Sequence, residues 1–114
     1  MVVSDQLSEG LLLFNEGRFY DAHEVWEDLW RATTDPPLKI CYQGLIQAAV
    51  GLHHLERGNE TGARSQLGKS IRNLQAGSAT KTGLDIELLI LELTKLLASV
   101  PEEPPRTLRI ARLK

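Results

Sequence analysis

The stretch FYDAHEVWEDLWR, residues 19–31, decides the fold, because its apolar positions recur with the period of an α-helix and not that of a strand. Phe19, Ala22, Val25, Trp26, Leu29 and Trp30 fall on one broad side, the pattern of a helix laid against a core. Both tryptophans of the chain lie there. His23 and Glu27 stand one turn apart at the border of that side, close to Trp30 and with Tyr20 adjacent, so an imidazole and a carboxylate meet beside large rings. Glu24, Asp28 and Arg31 continue round the outer side, and Glu27 is spaced to pair with Arg31.

Working outward toward the N-terminus, Ser4 is spaced as an N-cap, Asp5 lies in the first turn, and Leu7, Leu11 and Phe14 follow at helical spacing. A first helix to about Glu16 results. Gly17 supplies the left-handed residue that ends a helix, and the short Gly17-Arg18 link folds the second helix back on the first.

On the other side, Thr33 to Pro37 interrupts the pattern, and Asp35 caps a third helix whose first positions tolerate proline. That helix, Pro36 to Arg57, would be roughly 33 Å long and is apolar on almost every side, which makes it the central rod of the domain. Gln43, Gln47 and His54 form a polar seam on it, expected to face His23 and Glu27. Gly44, Ala48, Ala49 and Gly51 allow close approach, with Trp26 and Trp30 as the groups expected to fill the space. Gly58 and Asn59 end this helix and cap a fourth, with core positions Ala63, Leu67, Ile71 and Leu74.

Residues 76–83 read as a small-residue loop, Asp85 as the next N-cap, and Leu84 with Leu89 as a hydrophobic staple. The fifth helix presents Ile86, Leu89, Ile90, Leu93, Leu96, Leu97 and Val100. Leu88 and Leu91 are in excess and imply a second covered surface, that of a homo-oligomer or a protein partner. Pro101, Pro104 and Pro105 stop it. The tail then carries Arg106, Arg109, Arg112 and Lys114 without a carboxylate; it reads as a segment packed along the bundle through Leu108, Ile110 and Leu113 or simply frayed, with a binding arm as the alternative.

The totals narrow the classes. At 114 residues the chain is one domain, with 25% charged and 42% hydrophobic residues and a formal net charge of -2, which favours neither disorder nor nucleic-acid binding. No apolar run reaches the ~20 residues of a membrane helix, and the N-terminus does not read as an export signal. Cys41 has no second thiol for a disulfide or redox pair, which fits a reducing compartment and so a cytoplasmic location.

His23 and Glu27 can be read as metal ligands, with His54 from the central helix as a third, and Glu24 extends the pattern to HE-x-x-E. The zinc-protease pattern HE-x-x-H requires a second histidine that this helix lacks. Di-iron bundles require a Glu-x-x-His motif from each of two helices, and neither copy is here. The leading reading is a satisfied polar network of Tyr20, His23, Glu24, Glu27, Trp30, Gln43, Gln47 and His54, without a cofactor. The alternative is a pocket in which the same groups bind a small polar ligand or act as acid and base. His53 reads as a helix contact near Tyr42 and Ile46, and no nucleophile sits beside a base.

FYDAHEVWEDLW followed by YQGLIQAAVGLHHLERGNETGA resembles the domain of unknown function 309 family, over about Leu12 to Leu74. The resemblance implies a compact antiparallel helical bundle and maps the family's polar signature onto His23, Glu24, Glu27, Gln43, Gln47 and His54; it implies no reaction. The first hairpin is also similar to one tetratricopeptide unit, which supports helix-pair packing and a protein-binding role. The expectation is thus all-α: a bundle of about five helices over residues 1–100 and an extended tail over 101–114.

Overall fold

The computed structural model describes residues 5–100 and 108–113; the Ser4 cap, the proline-rich 101–107 and Lys114 lie outside them. Five helices follow in chain order: α1 Asp5–Asn15, α2 Phe19–Ala32, α3 Pro36–Glu56, α4 Glu60–Ala76 and α5 Ile86–Ser99. No strand joins them among the described residues. Their ends carry the expected chemistry. Asp35, Asn59 and Asp85 each accept a hydrogen bond from the backbone N–H three residues on, satisfying one of the donors a helix start leaves free. Gly17 and Gly58 take positive φ, 83° and 75°, and turn the chain back within two or three residues.

The rod α3 packs against α2 on one side and α4 on the other, while α1 lies against α2 and α5 against α4. What fills the gaps differs from the expectation. Trp26 is fully buried, but against α1: its indole Nε1 donates to the Leu7 carbonyl at 3.3 Å, its ring lies 5.7 Å from Phe14, and Gly10 leaves the room it occupies. The small residues of α3 admit α4 instead. Cβ atoms built at Gly44 and Gly51 would stand 2.7 Å and 2.8 Å from the side chains of Leu74 and Leu67. At this contact the buried Ser70 hydroxyl donates to the Gly44 carbonyl at 2.6 Å, so Ser70, and not Ile71, sits in the innermost row.

The end of the chain docks on the bundle. Leu108 and Ile110 are buried, Leu113 is exposed against expectation, and both atoms of the Asn15 carboxamide hold the Ile110 backbone at 3.1 Å and 2.8 Å. A single antiparallel bridge pairs Leu84 with Arg112, with Asp85 N–H donating to the Ala111 carbonyl and Leu113 N–H to that of Gly83. No helix among the described residues is long and apolar enough to cross a membrane.

Candidate functional site

Tyr20, His23, Glu27 and Trp30 recur on α2 at spacings of three, four and three, which aligns them along the rim of its buried side. His23 is held at both ring nitrogens: Nδ1 lies 3.2 Å from the Tyr20 carbonyl and Nε2 3.1 Å from the Glu27 carboxylate. Both partners are acceptors, so a neutral ring can donate to only one of them and the imidazolium to both. Arg31 pairs with Asp28 at 3.2 Å and not with Glu27, whose carboxylate is turned to His23. Glu24 is exposed on the outer side. Trp30 is half-buried and carries the Lys39 ammonium 4.1 Å above its ring centre.

The partner row on α3 is only in part the one expected: His54 lines the same cavity as Tyr20 and His23, whereas Gln43 and Gln47 leave it. The short link 33–35 sets α2 and α3 antiparallel, bringing Trp30 beside Gln43, His23 beside Val50 and Tyr20 beside His53. Gln47 leaves this face and accepts from the Asn73 amide of α4 at 2.7 Å. Gln43 lines a cavity of about 400 Å³ with Trp30, Pro36, Lys39, Ile40 and Asn73, apart from the imidazoles. His54 contacts the Asn59 side chain at 3.2 Å. The eight residues therefore do not form one network: Tyr20, His23 and His54 line one cavity, Trp30 and Gln43 another, and Glu24 lies at neither.

His53, read as a helix contact elsewhere, belongs at the centre of the more enclosed one. The Tyr20 ring sits 5.3 Å from both His23 and His53, and His53 lies 6.4 Å from His54. With Val50 these rings enclose a cavity of about 280 Å³. The signal for His53 was the antiparallel register: Tyr20, near the start of α2, meets the end of α3.

Metal binding and covalent chemistry find no constellation. Among the described residues no three His, Cys, Asp or Glu side chains stand together as an ion would require, so His23, Glu27 and His54 do not combine as ligands. Burial pushes the Cys41 thiol above its ordinary range, only partly offset by a hydrogen bond from Thr80, which keeps it protonated at neutral pH. The Ser70 hydroxyl is spent on Gly44.

An all-helical domain with an open, ring-lined cavity between its second and third helices is the class these features define. The chain belongs to the DUF309 family, a domain of unknown function whose model matches residues 7–66, ending short of Leu74. The ring-lined cavity lies wholly inside that span. The chain is 34% identical over 87 residues to the uncharacterised protein YpuF of Bacillus subtilis, covering 75% of this chain and 48% of that protein. It is 41% identical over 56 residues to an uncharacterised protein of Aquifex aeolicus, covering 49% of this chain and 17% of that one. The chain thus spans about half the length of the first relative and far less of the second.

Proposed function

We propose that this domain is a non-catalytic binding module that takes one large side chain of a protein partner into the cavity between α2 and α3. The observation that carries the reading is the Tyr20 ring, 52% exposed on a rigid helix and flanked by His23 and His53. A tyrosine in that setting offers large contact area at little conformational cost, the property of residues that dominate protein interfaces. At about 280 Å³ the cavity lies just under the ~300–1,000 Å³ of small-molecule pockets, a size suited to one anchoring side chain. Val50 and the ring faces supply apolar walls, and the His53 imidazole supplies the polar contact, since both His23 nitrogens are engaged within α2. Catalysis is less well supported: both nitrogens of His23 are engaged, the Ser70 hydroxyl donates to the Gly44 carbonyl, and Cys41 is buried.

The test uses p-cresol as a stand-in for a tyrosine side chain, titrated into the labelled chain while backbone amide signals are followed. The reading expects saturable shifts at Tyr20, His23, Val50, His53 and His54. Shifts that stay linear, or that cluster elsewhere, would remove it.

A second reading gives self-association to α5, where Leu88 and Leu91, one turn apart, are 39% and 51% exposed. It expects light scattering to report twice 12.7 kDa at rising concentration, with Leu91→Lys returning the mass to one chain. A single-chain mass throughout would set α5 aside.

A further inference from the structure

We propose that the cleft between α1 and the C-terminal segment binds a phosphate-class oxyanion through the guanidinium groups of Arg109 and Arg112. A cavity of about 430 Å³ opens there, walled by Leu11, Asn15 and Ile110, with both arginines on its lining. The backbone that carries them is anchored and not frayed. Asn15 clamps Ile110 from one edge, while the Gly83–Asp85 backbone bonds Ala111 and Leu113 from the other.

Among the described residues the two cations have no carboxylate partner within ion-pair distance, and the one side-chain contact of Arg112 is a long 3.4 Å approach to the Ser8 hydroxyl. In an extended segment alternate residues direct their N–H groups to the same edge. The Arg112 N–H therefore points the way of the Ile110 N–H, toward α1, and only the latter is taken by Asn15. The site thus combines two guanidinium forks and a backbone donor beside a cavity.

Charge and shape give the ligand class. The chain is acidic overall, with net charge -2, so this positive cleft is local and not a share of a general basic surface. Two guanidinium groups balance the charge of a phosphate monoester, and their planar forks match its oxygens; a carboxylate balances only one. The phosphate can be free or carried on a side chain, since the recognised group is the same.

The experiment titrates the whole chain at constant ionic strength with sodium phosphate, with a phosphoserine peptide and with sodium acetate, following the Arg109 and Arg112 Nε–H signals. Saturation is expected with the phosphate ligands; tighter peptide binding identifies a side-chain source and comparable binding a free one. Arg109→Gln and Arg112→Gln should each weaken binding by about tenfold, the loss of a charge-assisted hydrogen bond, with the unfolding midpoint unmoved because both residues are exposed. Non-saturating shifts, acetate binding as tight as phosphate, or equal binding in the double variant would overturn the site.

Discussion

Replacing Trp26 with alanine should cost about 3–5 kcal/mol of folding stability, the range for emptying a large aromatic site in a core. The indole is fully buried and ties α1 to α2 through both its ring contact with Phe14 and its bond to the Leu7 carbonyl. Collapse cannot easily refill the space, because Gly10 beneath it has no side chain to extend. A domain of this size has on the order of 5–15 kcal/mol in total, so the variant should sit near the edge of folding. Urea unfolding should show the midpoint falling sharply with the slope unchanged. A loss under about 1 kcal/mol would mean that α1 is not held by this residue.

Gly44→Ala tests the opposite fault. An alanine in a helix interior ordinarily gains about 0.5–1 kcal/mol over glycine. Here the added Cβ would lie 2.7 Å from Leu74 Cγ and 3.0 Å from the Leu74 backbone nitrogen. A backbone atom cannot rotate away, so α3 and α4 must part, straining the Ser70 bond to the Gly44 carbonyl as well. Overpacking of this kind costs about 1–3 kcal/mol, which outweighs the propensity gain. Gly68→Ala is the control, since its only near neighbour is the Arg72 side-chain end at 3.7 Å; it should stabilise slightly. If both substitutions stabilise, the α3–α4 contact is looser than described.

Helix ends and buried rows were legible because each depends on local chemistry. Asp35, Asn59 and Asp85 cap as their spacing requires, and Cys41, Leu45, Ala48 and Leu52 are buried as their period requires. Which rod meets which row was less legible. Trp26 and Gly44 were each recognisable as a large group and a small one, but pairing them needed the orientation of α1 and α4. Trp26 found Gly10, and Gly44 found Leu74.

The site shows the same division. Tyr20, His23 and Glu27 lie on one helix, and their local relation followed from spacing alone; the His23–Glu27 contact at 3.1 Å agrees with it. The row on α3 depended on how the two rods slide past each other. The register adds His53 to His54 beside Tyr20, and a rotation sends Gln47 to Asn73. The 108–113 segment was visible as apolar alternation, whereas its clamp, Asn15, is 95 residues away from Ile110 in sequence.

The most direct measurement is the p-cresol titration repeated on Val50→Trp, which plugs the ring-lined cavity with a side chain of the protein's own. Saturation is expected in the unmodified chain and none in the plugged one, with the fold retained because Val50 is only partly buried. Equal saturation in both chains would contradict this expectation, since the probe would then be bound somewhere other than between α2 and α3.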